Sequence, residues 1–201
     1  MLLTVIVPVY NQDDLIIRAL GSIPVRPDIE IIVIDDGSTD TTLEKVLEYR
    51  AEHPERFITV ISLAENKGLG YAKNVGYTNA SGMYINQLDS DDYLYTDKYE
   101  MVMNELDGTD IVYMDLKINN DTVWSVNKNT QDLFCGGTLR FIRKEFLGDS
   151  RCPDIRAGED WFLNDELQKK EHTDKFTGIC AYHYNFPRAG SLCDQRNRGL
   201  L

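Results

Sequence analysis

Asp89 and Asp91 stand one residue apart at the end of a short apolar run, with Ser90 between them and Asp92 after them. On an extended backbone alternate side chains share a face. This spacing predicts that Asp89 and Asp91 point together and Asp92 points away. Paired carboxylates repel one another, and a hard cation with oxygen ligands, Mn2+ or Mg2+, relieves such a pair. A calcium loop starting at Asp89 fails, because Tyr93 and Leu94 stand where an acid or amide and then glycine are needed. A second pair, Asp35-Asp36, is followed by Gly37-Ser38-Thr39-Asp40. Consecutive acids closing a buried run are costly without partners, and an acid so placed commonly receives hydroxyl or N–H donors from a nucleoside. A third segment, Asn66-Lys67-Gly68-Leu69-Gly70-Tyr71-Ala72-Lys73-Asn74, offers glycines that permit close backbone approach to a ligand. The six-position dinucleotide fingerprint fails there, since Lys73 occupies its last glycine. Lys67 and Lys73 read equally as ligand-binding cations or as surface lysines. In Gly158-Glu159-Asp160-Trp161-Phe162 two acids open a helix. Helical neighbours point about 100° apart, so one acid at most faces a given substrate atom. Either acid complements the helix dipole or serves as a general base.

The elements that must position these groups follow from hydrophobic period. Residues 2–9 and 29–34 are continuous apolar, β-branched runs of the buried-strand kind, and residues 57–63 and 83–88 read as two further strands. Between them lie helical patterns: one capped by Asn11 with Asp13 and Asp14 in its first turn, one opened by a Thr41/Glu44 capping box, a short one over 70–79, and one over 96–106. Alternation of buried strands and helices implies a parallel sheet with right-handed crossovers. Ligands in such sheets sit at the carboxyl ends of the strands, where Asp35, Asp36, Asp89 and Asp91 fall. After residue 110 the pattern becomes mixed: strands over 110–116 and 122–126 joined by an Asn119-Asn120 turn, a helix after Gly158, and a strand over 176–186. The expectation is one α/β domain over 1–201, with a ligand-binding half at 1–108 and a mixed α+β half with a tail at 109–201.

The chain has 201 residues, 21 bases and 33 acids, and a formal charge of −12. Residues 1–100 hold 17 acids and 8 bases; residues 101–201 hold 16 and 13. This argues against nucleic acid as partner, since a duplex needs a positive face. It also demands neutralisation of any phosphate ligand, for which Arg188, Arg196 and Arg198 supply a locally positive tail. Cys135, Cys152, Cys180 and Cys193 lack the spacing of a zinc site or a small disulfide scaffold. No apolar run approaches the roughly 18 residues of a membrane span, and no signal peptide is visible. A cytoplasmic protein is expected, with peripheral attachment to the inner membrane face as an option.

Taken in order, Val5-Ile6-Val7-Pro8-Val9-Tyr10-Asn11, the segments at 35–40 and 66–76, Ala80-Ser81-Gly82, the segment at 88–92 and Gly158-Glu159-Asp160 resemble the family 2 glycosyltransferases of the GT-A fold. The resemblance covers roughly residues 3–165. It implies a Rossmann-like, mostly parallel sheet flanked by helices, and an inverting enzyme that moves one sugar from a nucleotide-diphosphate sugar, a UDP-sugar foremost, to an acceptor hydroxyl. It implies that Pro8, Val9 and Tyr10 line the nucleotide pocket and that Asp36 accepts from the base. Lys73 would stand where the family usually has an arginine near the base. Asp89, Ser90 and Asp91 match a D-x-D motif for metal and for ribose or diphosphate. Asp160 matches the catalytic base, with Glu159 as its understudy. His183 is a candidate metal ligand against a purely structural role, and Arg188 and Ser191 fall where relatives close a loop over the diphosphate. Processive relatives carry Q-x-x-R-W; here Gln195 and Arg198 match but Gly199 replaces the tryptophan, so single-sugar transfer is expected. Carbohydrate, lipid-linked molecule and protein all stay open as acceptor. The competing expectation is a non-catalytic nucleotide-sugar binder or degenerate partner subunit. A sugar-phosphate nucleotidyltransferase would need a basic glycine-rich loop where Tyr10-Asn11-Gln12-Asp13-Asp14 stands.

Overall fold

The computed structural model describes residues 1–119, 122–129, 137–155 and 158–185. Four apolar runs form the parallel strands β1 (Leu3–Val9), β2 (Ile29–Asp35), β3 (Phe57–Ser62) and β4 (Tyr84–Gln87), side by side in the order β3-β2-β1-β4. β1 is buried along its whole length because both faces of the sheet are covered. Leu3, Val5, Val7 and Val9 enter one core, where they join Ile16, Ala19 and Leu20 of α1 (Ile16–Ser22) and Val46 and Tyr49 of α2 (Thr42–Glu52). Ile6 turns to a second core with Ile32, Ile34, and Ala72 and Tyr77 of α3 (Leu69–Asn79). Such two-sided burial is why these strands read as continuous apolar runs instead of alternating ones.

Both expected N-caps are replaced by longer-range contacts. α1 starts at Ile16, and its first turn holds no acid. Asn11 instead adopts φ 50° and accepts a 2.8 Å hydrogen bond from the Thr39 N–H. At α2 the Thr41 hydroxyl donates to Asp13 at 2.7 Å, and Asp40 accepts the Thr42 N–H at 2.9 Å. A partner on the neighbouring loop, a donor for Asn11 and an acceptor for Thr41, has outcompeted the local cap, and these two bonds lace the β1–α1 and β2–α2 loops.

The second half extends the same sheet with mixed polarity. After β5 (Tyr93–Leu94) and α4 (Thr96–Met103), which close the first half, its strands and α-helices are β6 (Ile111–Ile118), β7 (Thr122–Trp124), β8 (Arg140–Arg143), α5 (Lys144–Leu147), α6 (Glu159–Gln168) and β9 (Asp174–Tyr184). The described sheet continues from β4 as β8-β6-β9-β5, with β7 paired to β6. β8 is antiparallel to both β4 and β6, so Ile142 lies between Ile85 and Ile111 and stitches the halves together. β9 runs parallel to β6 over a register shift between Tyr113 and Leu116. No helix among the described residues is long and apolar enough to cross a membrane.

Candidate active site

The acids gather at the carboxyl edge of the parallel strands. Asp35 closes β2 with its carboxylate buried, accepting from the Ser62 hydroxyl at 2.9 Å and the Ser38 N–H at 3.2 Å. Asp36 is buried beside it and accepts the N–H groups of Lys67 at 2.7 Å and Gly68 at 2.9 Å. Burial raises its pKa against the pull of those two donors. One carboxylate therefore shapes the loop that leads into α3. Gly37 between the loops has φ +72°, and a Cβ there would stand 2.6 Å from the Glu65 carbonyl carbon, so only glycine fits. Pro8 and Val9 are buried within β1, and Tyr10 is exposed at its end. The first two thus bring backbone rather than side-chain surface to this edge.

The segment after β4 departs from the extended geometry expected of it. Leu88 continues the strand direction, but the Asp92 N–H donates to the Asp89 carbonyl at 3.0 Å, which closes a turn over 89–92. Asp92 consequently does not point away from the cluster. It is buried, accepts the Tyr182 hydroxyl at 2.6 Å and the Asn185 N–H at 2.8 Å, and feels the charges of Asp89 and Asp91. Alternation fails because it assumes a strand, and the chain turns here instead. Burial pushes Asp89 well above the ordinary carboxylate range, with repulsion from Asp91, Asp160 and Glu159 adding to it and Lys73 opposing it. Its carboxylate has no hydrogen-bond donor among the described residues. Ser90 is buried within the turn.

Lys73 joins the two halves of the site. Its ammonium is 1% exposed and donates to Glu159 at 2.8 Å and to Asp160 Oδ2 at 2.7 Å. Burial alone would lower its pKa, but Asp160, Glu159 and Asp89 outweigh that and raise it well above an ordinary lysine. The close approach of α3 to α6 depends on Gly70, where a Cβ would meet the Pro153 carbonyl oxygen at 3.0 Å and the Glu159 Cβ at 3.3 Å. Asn74 locks the same junction with reciprocal bonds to the Cys152 backbone, 2.8 Å from its Nδ2 and 2.9 Å to its Oδ1. Asp160 is left with one oxygen anchored on Lys73 and the other, Oδ1, buried without a hydrogen-bond partner.

Some contributors lay outside the sequence reading. Arg18 of α1 donates to the Asp91 carbonyl at 2.6 Å and lies over the Tyr93 ring at 5.1 Å, so a cation braces the acidic turn. Nothing local marks Arg18 for that task. Tyr182 and Asn185 act similarly from the end of β9. His183 stacks on Tyr93 with ring centroids 4.2 Å apart and shares a 2.9 Å hydrogen bond with the Tyr95 hydroxyl. Burial lowers its pKa, helped by Arg18 and Lys117. Arg188, Ser191 and the Gln195/Arg198 pair lie outside the described residues.

A parallel β3-β2-β1-β4 sheet, acids along its carboxyl edge and a mixed second half attached through β8 define the GT-A fold. The solved structures that resemble it agree. S. aureus TarS residues 1–349 in complex with UDP-GlcNAc matches with a TM-score of 0.82 at 25% identity, over 95% of this chain and 60% of that one. The mannosyltransferase PcManGT from Pyrobaculum calidifontis, in complex with GDP-Man and Mn2+, matches with a TM-score of 0.77 at 20% identity, over 98% and 60%. The model of glycosyl transferase family 2 matches residues 4–163, and the chain belongs to that family. Among curated relatives, the Escherichia coli chondroitin synthase is 41% identical over 99 residues, which are 48% of this chain and 14% of that protein. Streptococcus pneumoniae glycosyltransferase GlyA is 41% identical over 97 residues, 47% of this chain and 14% of the relative. This chain thus spans only a small part of the length of these relatives.

Proposed function

We propose that the chain transfers one sugar from a nucleotide-diphosphate sugar, a UDP-sugar foremost, to an acceptor hydroxyl with inversion at the anomeric carbon. The observation that carries this reading is the state of Asp160. Lys73 pins Oδ2, and Oδ1 is buried and unpartnered among acids at the carboxyl edge of the sheet. An unpaired buried oxygen is costly until a group donates to it; the Asp160 side chain is 22% exposed, and an acceptor hydroxyl entering at that opening is such a donor. Asp160 takes the proton as the acceptor oxygen bonds to the anomeric carbon, and the bond from that carbon to the diphosphate oxygen breaks on the opposite face. Lys73 keeps Asp160 oriented and Glu159 compensated. Asp36, with the Lys67–Gly68 loop it holds, and Pro8, Val9 and Tyr10 form the nucleoside end of the cleft.

Asp89 and Asp91 fit a divalent cation. Their oxygens suit Mn2+ or Mg2+, and the two carboxylates are near enough for Asp91 to raise the Asp89 pKa. No group of three or more His, Cys, Asp or Glu side chains among the described residues could hold a metal ion by itself. Mg2+-type sites commonly use one or two carboxylates and complete the shell with substrate phosphates and water. Bound there, the ion would neutralise the diphosphate and stabilise the charge that develops on the leaving group. The Mn2+ bound with GDP-Man in PcManGT and the UDP-GlcNAc bound in TarS support the assignment by analogy of fold.

The test is transfer and donor hydrolysis with a panel of UDP- and GDP-sugars in Mn2+. Thermal shift against the same panel selects the donor, since a ligand at about 100 times its Kd stabilises by about 2.7 kcal/mol. Loss of a general base removes about 10²–10⁴ in rate, so Asp160→Asn is expected to lose at least about 100-fold while still binding donor. Full transfer by Asp160→Asn or Asp91→Ala would remove the assigned roles. Donor binding with no turnover by the wild type would point to the non-catalytic binder instead.

A further inference from the structure

Two large aromatic side chains are exposed immediately after the proposed base. Trp161 is 62% exposed and Phe162 55%, with ring centroids 6.3 Å apart in an edge-to-face arrangement. Single exposed aromatics are ordinary on protein surfaces, and Phe57 is of that kind. A consecutive pair in the first turn of α6 is different. The inner face of α6 buries Glu159, Leu163, Asn164 and Leu167, so the pair adds nothing to the core. Further along the outer face the helix is polar: Asp165 is ion-paired with Lys169 at 2.6 Å, and Glu166 accepts from the Ser150 hydroxyl. The exposed apolar surface of α6 is thus confined to the end that carries Asp160, and Cα–Cβ bonds of helical residues tilt toward that end.

We infer that Trp161, with Phe162 beside it, is the platform on which the acceptor is seated, and that the acceptor is the pyranose ring of a carbohydrate. This deepens the proposed transfer reaction and rests on Asp160 being its base. A pyranose has an apolar C–H face that suits an aromatic ring and an equatorial rim of hydroxyls, one of which reaches the neighbouring carboxylate. The charge around the pair selects the same chemistry. α6 carries Glu159, Asp160, Asp165 and Glu166 and no base, and Lys169 just after it is engaged by Asp165. Glu159 and Asp160 share a single cation, Lys73, so this end of the helix keeps an acidic excess that a phosphate-bearing lipid acceptor would meet and a neutral ring would not. Two rings bounded by charged residues also offer too short an apolar track for an acyl chain.

The chain contains two tryptophans, Trp124 and Trp161, so Trp124→Phe leaves Trp161 as the sole indole. Its emission is titrated with chitobiose, cellobiose and lactose, and with glycerol 3-phosphate as the anionic comparison, in the presence of Mn2+ and UDP. Quenching or a blue shift by at least one disaccharide, and none by glycerol 3-phosphate, is the expected result. In the wild-type background, Trp161→Ala is expected to raise the acceptor KM about tenfold, the scale of one aromatic contact, and to lower the ratio of transfer to donor hydrolysis. Trp161→Phe should recover part of that loss. The inference is overturned if no disaccharide moves the Trp161 emission, if glycerol 3-phosphate alone does, or if Trp161→Ala keeps the wild-type acceptor KM. The titration needs no turnover. An enzyme that turns over no donor yet binds a disaccharide at Trp161 would therefore refute the transfer reaction and leave the platform standing.

Discussion

Replacing Lys73 with methionine keeps most of the length of the side chain and removes the cation that pairs with Glu159 and Asp160. Removing one partner of a buried ion pair costs about 3–5 kcal/mol, because the remaining charge is stranded. The Lys73–Glu159 pair belongs in that class, with side chains 1% and 6% exposed; Asp160, at 22%, retains some hydration and adds less. For a domain of this size about 1 kcal/mol moves Tm by about 2–4 °C, so Lys73→Met is expected to melt about 6–20 °C below wild type at pH 7.5. The pH dependence has a definite sign. The pKa of Lys73 is raised, so its contribution is intact below the ordinary lysine value and is lost only as pH rises through the higher folded value. In the variant the stranded groups are carboxylates. Urea unfolding followed by circular dichroism at pH 7.5 reads the loss, and the same measurement at pH 9 checks that the wild-type advantage persists there. Lys73→Arg should lose less than Lys73→Met, and adding Glu159→Gln to Lys73→Met should restore part of the loss. A Lys73→Met protein within about 1 kcal/mol of wild type at pH 7.5, or a wild-type advantage that fades between pH 7.5 and pH 9, would refute the ion-pair account.

Gly37→Ala is expected to cost about 2–4 kcal/mol, from positive φ together with a Cβ at 2.6 Å from the Glu65 backbone, and to weaken UDP binding in calorimetry through the displaced 65–68 loop. Cys152 is buried, and burial pushes its thiol up to about 12, with Asp160 and Glu159 adding to the shift. Its thiolate fraction stays small at any pH below that value, so mass mapping after thiol labelling at pH 8 should find Cys152 modified only in denaturant. Rapid labelling of Cys152 in the native protein would contradict the burial on which the α3–α6 junction depends.

Different parts of this molecule were legible in the sequence for different reasons. The four parallel strands are visible because two-sided burial writes an unbroken apolar run, and the acids after β2 and β4 stand out because charge at the end of such a run is conspicuous. β8 is not visible: Arg140-Phe141-Ile142-Arg143 is four residues long and flanked by arginines, too short for period to speak. Yet it is the strand that attaches the second half to the first. The N-caps at Asn11 and Thr41 were misread since a local rule sees only the local acceptor. Asp92 was misread because alternation holds along a strand and not through a turn.

By itself the sequence determined the class of fold, the edge of the sheet at which the acids gather, and the family to which the chain belongs. Each of these depends on patterns within a dozen residues or on the order of short motifs. Only the tertiary structure decided how the acids are compensated. Lys73 meets Glu159 and Asp160 across 86 and 87 residues, Asp92 meets Tyr182 across 90, and Arg18 meets Asp91 across 73. The partner of a buried charge is whatever group chain closure brings within about 3 Å, and no local pattern encodes that choice. Lys73, which by sequence alone is equally a ligand-binding cation or a surface lysine, is in the folded chain a buried cation paired with Glu159 and Asp160.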